Sequence, residues 1–439
     1  QAVTVASGAT YSVGANDTIG SLAGAGSVNL NSNTLTTGNN TNTIFSGIIS
    51  GTGNLVKVGS GTLQLTGANT YSGTTTINAG ALHVGHQLSV INNGSLSDST
   101  AVIMAAGATY LVDADDTIAS LSGSGIVYLN RGKLRTGDST STTFSGSIVG
   151  GELRKQGTGT FTLSGAGNNT GQIFIDQGTL VVTNNNKLAN LNVVNSGGTL
   201  DLRSITTAQE IQLNGGTLLA STGSNSLSGN IALGANSTIT VDGTQLTLSG
   251  RLSGASFGFT KTGAGLLILS GNNTFTGNTA ISAGTLRLGS ATALGTSAGA
   301  VSVAAGAVLD LNGRTLTNTN ALTLNGTGIS NGGALINSSA TAATYAGAIT
   351  LGSASSIGST GGAITLSGVV SDSANNYGLV LVGNQAITLS NTSNALRTIA
   401  SDASLGALTI TNTGNLEIGT VTAGGVSYNG INSTGRISI

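Results

Sequence analysis

The chain has 439 residues, of which 70 are Gly and none is Pro or Cys, and its formal net charge is −1. The absence of Cys excludes disulfides, thiol nucleophiles and thiolate metal sites. Because only 7% of the residues are charged, the protein lacks the basic field that gathers nucleic acid or acidic lipid. Its apolar runs are also too short to cross a bilayer as a helix.

A long duplication occupies the first part of the chain. Residues 8–47 match residues 107–146 without a gap: GATYSVGANDTIGSL in the first copy becomes GATYLVDADDTIASL in the second, and both copies end in FSG. A weaker echo of the same unit lies further on, between Gly306 and Gly347. Repetition of this kind indicates that the chain was built from one structural unit.

A shorter pattern of Gly, Leu and polar residues begins within residues 51–85 and returns twice at constant offsets. Nine positions are shared: Lys57, Gly59, Gly61, Leu65, Gly67, Gly73, Ile77, Gly80 and Leu82, then Lys155, Gly157, Gly159, Leu163, Gly165, Gly171, Ile175, Gly178 and Leu180, then Lys261, Gly263, Gly265, Leu269, Gly271, Gly277, Ile281, Gly284 and Leu286. A fourth copy, residues 379–391, has diverged, since Leu381 replaces the Lys and Asn391 replaces a Gly.

The local rhythm predicts β-strands. Apolar and polar residues alternate in segments 61–65 and 284–288, which is typical of strands with one buried and one wet face. Successive Gly-led strands begin at Gly159, Gly178, Gly198 and Gly216, so they are 19, 20 and 18 residues apart. Gly and Asn supply tight corners, and the absence of Pro leaves every strand N–H free to pair. We therefore predict an all-β fold, a parallel β-solenoid with about 20 residues per coil.

We expect one continuous solenoid over residues 1–439. Within it, residues 1–100 and 101–197 are tandem duplicated units, 198–300 form a third repeat region, and 301–439 hold diverged repeats. Leu65, Leu163 and Leu269 occupy the same position of the pattern, so they should be buried in equivalent places.

The repeated string G-x-L-x-K-x-G-x-G-x-L-x-L-x-G-x-N-T-[YF]-[ST]-G, clearest in residues 55–73 and 263–277, resembles the passenger-associated transport repeat of bacterial autotransporters. The second copy departs from it, because Asn169 stands where Tyr71 and Phe275 supply an aromatic ring. The C-terminal segments 414–419 and 434–439 resemble filamentous-haemagglutinin-type large exoproteins. Both resemblances imply a right-handed parallel β-helix exported to the surface of a Gram-negative bacterium or released outside it.

The resemblance also implies an export apparatus. We expect either a membrane barrel outside these residues or a separate transporter, with no membrane insertion of this chain itself. The first and last residues lie in alternating strand patterns, which leaves two interpretations. The favoured one places further coils of a longer passenger beyond them. The other is head-to-tail self-association of the chain into a fibre.

Candidate catalytic and metal-binding residues are few. His83 and His86 are the only histidines; the pattern places His83 on an outward strand position without a nearby carboxylate, so no metal site is predicted. Asp113, Asp115 and Asp116 form the best enzyme-like cluster, but the duplicated copy has Gly14, Asn16 and Asp17 there, which favours a solvated loop. We therefore expect no enzyme activity, no catalytic residues and no cofactor.

A basic cluster is the one candidate binding feature. Lys133 and Arg135 flank Leu134 and should point outward together, with Arg131 beside them and Arg154 and Lys155 about one coil further on. These side chains could contact an anionic glycan; the alternative is surface charge that protects a sheet against aggregation.

Taken together, the sequence predicts a non-enzymatic, extracellular β-helical passenger or adhesin shaft that serves adhesion, biofilm or filament formation. Its expected partners are a host, matrix or glycan surface, and nucleic acid is not among them. The alternative is a polysaccharide-active lyase or hydrolase on the same fold.

Overall fold

The computed structural model describes residues 1–86, 94–130, 132–166, 169–316 and 318–439. They form two compact units, Gln1–Ile205 and Thr206–Ile439. Each unit is a stack of short, parallel strands wound into coils, so the predicted fold class, an all-β solenoid with about 20 residues per coil, is confirmed. The subdivision of the chain at residues 100, 197 and 300 stays a prediction.

The first unit contains strands β1 to β25 and one 3₁₀ turn, Asn185–Lys187. The strands are β1 Ala2–Val5, β2 Thr10–Ser12, β3 Asp17–Ile19, β4 Ser21–Gly24, β5 Ser27–Asn29, β6 Thr34–Thr37, β7 Thr43–Phe45, β8 Ile49–Ser50, β9 Asn54–Lys57, β10 Thr62–Leu65, β11 Thr75–Ile77, β12 Ala81–Val84, β13 Ala101–Met104, β14 Thr109–Val112, β15 Asp116–Ile118, β16 Ser120–Gly123, β17 Ile126–Leu129, β18 Lys133–Thr136, β19 Thr142–Phe144, β20 Ser147–Lys155, β21 Thr160–Leu163, β22 Asn169–Ile175, β23 Gly178–Val182, β24 Leu191–Asn195 and β25 Gly198–Arg203.

The second unit contains strands β26 to β53 and a 3₁₀ turn, Ile329–Asn331. The strands are β26 Thr206–Thr207, β27 Glu210–Asn214, β28 Thr217–Thr222, β29 Ser224–Leu227, β30 Ile231–Ala235, β31 Ser237–Val241, β32 Gln245–Leu248, β33 Leu252–Ser253, β34 Phe259–Thr262, β35 Leu266–Leu269, β36 Thr279–Ile281, β37 Thr285–Leu288, β38 Val301–Val303, β39 Val308–Asp310, β40 Leu322–Gly326, β41 Leu335–Ile336, β42 Ala343–Tyr345, β43 Ile349–Gly358, β44 Ile364–Leu366, β45 Val370–Ser371, β46 Leu379–Val382, β47 Ile387–Leu389, β48 Thr398–Ser401, β49 Leu408–Ile410, β50 Glu417–Ile418, β51 Thr420–Ala423, β52 Val426–Asn429 and β53 Ile437–Ser438.

The core of each unit is a set of apolar columns that run from coil to coil. In the first unit, Leu63 lies beside Leu82, which lies beside Tyr110 and then Val127. A longer column in the second unit joins the buried residues Leu246, Leu267, Leu286, Leu309, Leu335, Ile357 and Leu381. Alternation along each strand sends every second side chain into such a column.

The equivalent leucines of the three repeats lie in the core as predicted. Leu65, Leu163 and Leu269 are all 0% exposed. Burial of one leucine side chain stabilises a fold by about 1.5–3 kcal/mol. Because the three leucines are equally buried, each copy of the repeat gains a similar stabilisation from this position.

Buried asparagines hold the corners between strands. Asn69 accepts from the Ile49 N–H at 3.0 Å and donates to the Ser95 carbonyl at 2.8 Å. Its counterpart Asn273 accepts from Leu252 N–H at 2.8 Å. A buried amide that bonds backbone groups of neighbouring coils satisfies peptide groups that have left the strand ladder.

Strands β51 and β52 form an antiparallel hairpin, in contrast to parallel coil-to-coil pairs such as β10–β12 and β35–β37. The hairpin packs Val421 and Ala423 onto Val380, Val382 and Ala400. Because Val380 and Val382 alternate with core leucines of β46, they point to the outer face. The hairpin therefore covers a sheet face that would otherwise be exposed.

Candidate functional site

The lysine of each repeat lies inside the solenoid. Lys57, Lys155 and Lys261 are at most 1% exposed. Each stands two positions after a buried apolar residue on the same strand, Leu55, Leu153 or Phe259, and residues two apart share a strand face. This inward orientation was missed in the sequence analysis, although the spacing alone could have revealed it.

Each buried ammonium group binds three backbone carbonyl oxygens at one corner of the coil. Lys57 Nζ donates to the carbonyls of Val58, Gly59 and Ala79 at 2.7, 2.9 and 3.2 Å. The last of these carbonyls belongs to the following coil. The ammonium therefore joins two successive coils through charge-assisted hydrogen bonds.

The same geometry recurs in the other two repeats. Lys155 Nζ donates to Gln156, Gly157 and Gln177 at 2.5, 2.8 and 3.1 Å, and Lys261 Nζ donates to Thr262, Gly263 and Ala283 at 2.8, 2.7 and 3.0 Å. Burial lowers the pKa of Lys155 and of Lys261 to about 8, and it lowers the pKa of Lys57 as well. We call these three sites the lysine corners. Because the ammonium groups are buried and bind only backbone carbonyls, their role is to stabilise the fold.

The basic cluster predicted as a glycan contact is divided by the structure. Leu134 is buried while Lys133 and Arg135 are partly exposed on either side of it, so their outward orientation is confirmed. Lys155 is not with them, because its ammonium occupies a lysine corner. Arg131 lies outside the described residues.

The remaining basic groups of the cluster are matched by acids. Lys133 Nζ is 3.6 Å from Glu152, and Arg135 is 3.5 Å from Asp115. Arg154 donates to both oxygens of Asp176, from Nε at 2.8 Å and from Nη2 at 2.9 Å. This pairing favours a charge-balanced sheet face, and the glycan contact of Lys133, Arg135 and Arg154 stays a prediction.

Arg154 is the most firmly held member of that face. It also donates to Glu152 at 3.0 Å, and its guanidinium lies 4.7 Å from the centre of the Phe174 ring. These acidic partners raise the pKa of Arg154, chiefly through the hydrogen bonds that Arg154 donates to Asp176.

His83 has a carboxylate partner that the sequence did not reveal. Its Nε2 lies 2.5 Å from Oδ2 of Asp113, whose Oδ1 accepts from Asn130 at 2.8 Å. The outward strand position of His83 is confirmed, since it alternates with the buried Leu82 and Val84. The expectation that no carboxylate lies nearby was wrong, because Asp113 is distant in sequence but lies close to His83 on the next coil.

The acidic cluster Asp113, Asp115 and Asp116 is separated into three environments. Asp115 is half-exposed and faces Arg135, as expected for a solvated loop. Asp113 and Asp116 are buried, so that expectation was wrong for them. Asp116 accepts hydrogen bonds from the Tyr110 hydroxyl and from the Leu96 N–H, and burial raises the pKa of Asp116 to about 7.

No metal-binding geometry emerges from these groups. Within the described part of the chain, three or more His, Cys, Asp or Glu side chains do not converge on one point. The same residues contain no helix long and apolar enough to cross a membrane.

The three lysine corners coincide with three matches to a known repeat family. The profile described as passenger-associated-transport-repeat matches residues 55–84, 153–182 and 259–288. This chain carries three passenger-associated transport repeats. Each transport repeat begins on the strand of its lysine and ends on a strand of the following coil, so the ammonium joins the two coils that the repeat spans.

Two named autotransporters are similar to the chain over about a third of its length. The adhesin BmaC autotransporter of Brucella suis biovar 1 is 39% identical over 145 residues, which are 31% of this chain and 4% of that protein. The autotransporter lipoprotein NalP of Neisseria meningitidis serogroup B is 35% identical over 150 residues, 29% of this chain and 13% of NalP. A comparison with solved structures found no match.

These findings confirm the predicted resemblance to autotransporter passengers. The chain spans only a small fraction of the curated relatives that it matches, so their names describe much longer proteins. The resemblance of the C-terminal segments to filamentous-haemagglutinin-type exoproteins stays a prediction.

Proposed function

We propose that this chain is part of an autotransporter passenger and forms the shaft of an adhesin on the surface of a Gram-negative bacterium or in its surroundings. The three transport repeats carry this proposal, because they identify the kind of protein without reference to its ligand. The similarity to an autotransporter named as an adhesin supports a role in adhesion.

The physical properties of the solenoid suit this role. The chain contains no Cys, so its stability comes from backbone ladders and apolar packing without disulfides. Each coil depends only on its neighbours, so an exported chain can fold coil by coil. Outer strand positions carry Thr, Ser and Asn, which offer many weak hydrogen bonds to a host, matrix or glycan surface. Biofilm and filament formation, including head-to-tail self-association, are finer forms of the same proposal.

We include in the proposal that the chain has no enzyme activity of its own. The two buried acids of the cluster have structural partners: Asp116 is held by Tyr110, and Asp113 by His83 and Asn130. The test is incubation of the purified chain with neutral and acidic polysaccharides. Release of reducing ends or unsaturated products, abolished by Asp115→Ala combined with Asp116→Ala, would favour the polysaccharide-active alternative.

The adhesin role is tested in the native bacterium. An in-frame deletion of the coding region for residues 1–439 should reduce attachment to host cells or extracellular matrix, and re-expression of the native gene should restore it. Brief protease treatment of intact cells should remove the epitopes of this chain while leaving a periplasmic marker intact. Unchanged attachment of the deletion strain, or protection of the epitopes until cells are lysed, would contradict the proposal.

A further inference from the structure

An open groove crosses three successive coils of the second unit. It has a volume of about 630 Å³, and its charged lining residues are Asp372, Arg397 and Glu417. Asp372 follows β45, Arg397 precedes β48, and Glu417 opens β50, which pairs with β48. The volume lies within the range of about 300–1,000 Å³ that is usual for small-molecule sites.

The carboxylate of Asp372 has an unsatisfied oxygen beneath this groove. The residue is only 2% exposed, and its Oδ1 accepts from the Ala374 N–H at 3.0 Å. Its Oδ2 is buried and accepts no hydrogen bond. Because a buried polar atom without a partner costs free energy, such atoms are rare in folded proteins and call for an explanation.

Arg397 and Glu417 place a free donor and a free acceptor at the side of the same groove. Both residues are exposed, and neither forms an ion pair among the described residues. The Glu417 N–H donates to the Arg397 carbonyl at 2.7 Å, so the two side chains leave neighbouring backbone positions. Their hydrogen-bonding capacity is available to a ligand.

We propose that this groove binds a neutral saccharide. Sugar hydroxyl groups both donate and accept, so they can donate to Asp372 and Glu417 and accept from Arg397 in one pose. The inference rests on the proposed adhesin function and names the class of ligand that one site of the chain would recognise.

Other ligand classes fit the lining less well. Two acids against one arginine disfavour an anionic ligand. A metal ion would need more donors than converge here, since the described residues hold no group of three His, Cys, Asp or Glu. None of the lining residues is aromatic, which disfavours a flat apolar ligand.

Entry of a hydroxyl group to Asp372 Oδ2 requires a movement of the adjoining turn. Ser373, Ala374 and Asn376 in this turn have φ of 50°, 63° and 61°. The Ala374 N–H, which donates to Oδ1 of Asp372, belongs to the same turn. We expect saccharide binding to shift this turn, so that a hydroxyl group reaches the unpaired oxygen Oδ2.

The test measures binding of cellotriose, maltotriose and triacetylchitotriose to the full chain by saturation-transfer NMR and titration. At least one neutral trisaccharide should bind, and Arg397→Ala and Asp372→Leu should each weaken that binding about tenfold or more. Arg251→Ala, which removes another exposed arginine of the same unit, is the matched control and should leave binding unchanged.

A second readout separates a ligand role from a structural one. Asp372→Leu keeps the shape of the side chain and removes the unpaired oxygen, so its urea unfolding midpoint should stay close to that of the native chain while its binding is lost. A lowered midpoint would assign Asp372 a structural role and overturn its place in the site.

Three further outcomes would overturn the proposal: no binding of any neutral trisaccharide, tighter binding of trigalacturonic acid, or binding that Arg397→Ala leaves intact. Bacterial attachment distinguishes a failure of the groove proposal from a failure of the proposed adhesin function. If bacteria with Arg397→Ala attach like the native strain while the deletion strain does not, the groove fails and the adhesin role stands. If the deletion strain attaches normally, the adhesin role fails whatever the groove binds.

Discussion

At the residue scale, one aromatic core position differs between two transport repeats by a hydroxyl group. The Tyr71 hydroxyl lies 2.5 Å from Oγ1 of Thr75. In the third repeat Phe275 replaces the tyrosine, and Oγ1 of its threonine partner, Thr279, is buried without a hydrogen bond. The same threonine is therefore satisfied in one repeat and orphaned in the other.

Phe275→Tyr should repair this defect. We expect it to raise the free energy of unfolding by about 0.5–1.5 kcal/mol, because the new hydroxyl pairs with Thr279. Tyr71→Phe should have the opposite effect, since it orphans Thr75. Urea unfolding followed by circular dichroism measures both changes.

The control for this pair is Thr279→Val. Combined with Phe275→Tyr it should abolish the gain, so that a double-mutant cycle gives a favourable coupling energy between positions 275 and 279. A coupling energy of zero would show that the two side chains do not interact.

A second residue-scale effect is the pH dependence contributed by Asp116. Burial raises the pKa of Asp116 from an ordinary value of 3.8 to about 7 in the folded chain. Between these values the folded state holds a proton that the unfolded state has released. The contribution of Asp116 to the free energy of unfolding therefore falls as pH rises from about 4 to about 7, and it is constant above that.

Asp116→Asn should remove this dependence, because an amide carries no proton to release. As the pH rises from about 4 to about 7, the free energy of unfolding of the variant should therefore increase relative to that of the native chain, by an amount on the order of a few kcal/mol. Urea midpoints at pH 4.5 and pH 8 measure the change. Asp115→Asn, at a half-exposed side chain, is the control, and an equal pH trend in both variants would contradict the prediction.

At the scale of elements, glycines serve the coil in two different ways. A Cβ atom on Gly67 would lie 2.1 Å from the Gly47 carbonyl oxygen of the preceding coil. Gly107 has a φ of 78° and open space around the same position. Gly67 is thus required by contact between coils, and Gly107 by the local backbone conformation.

Substitutions at these two glycines should therefore differ. Gly67→Ala forces neighbouring coils apart and should lower the free energy of unfolding by about 1–3 kcal/mol or more. Gly107→Asn should cost less than about 1 kcal/mol, since Asn tolerates positive φ. Thermal unfolding of both variants provides the measurement, and equal losses would refute the distinction.

At the scale of the whole molecule, stability is organised by contacts between consecutive coils. Each lysine corner links one coil to the next, and the strand ladders likewise join nearest neighbours. In such a stack a local defect loosens the adjacent coils and leaves distant ones unchanged. The free energies of unfolding given above therefore refer to the cooperative transition of the coils around each substituted residue.

Lys261→Met tests this locality. It removes the ammonium from the carbonyls of Thr262, Gly263 and Ala283 and should destabilise that region by about 2–4 kcal/mol. Hydrogen exchange should accelerate in strands β31 to β38 and remain unchanged in β47 and β49 of the same unit. Lys133→Met, at an exposed lysine, is the matched control and should change exchange little.

The sequence by itself determined the repeat, the length of the coil, the burial of Leu65 and its counterparts, and the family of the repeats. These features follow from period-two alternation and from constant offsets, which are visible along the chain. The outward orientation of Lys133 and Arg135 could be predicted for the same reason.

Only the tertiary structure decided which distant groups meet. The carbonyl partners of the lysine corners, the contact of His83 with Asp113 and the acids that face Arg154 all depend on the register between coils, which local alternation leaves undetermined. The groove at Asp372 likewise requires three coils to be stacked in register. Short-range pattern fixes which side of a strand a residue occupies, whereas stacking fixes its neighbours.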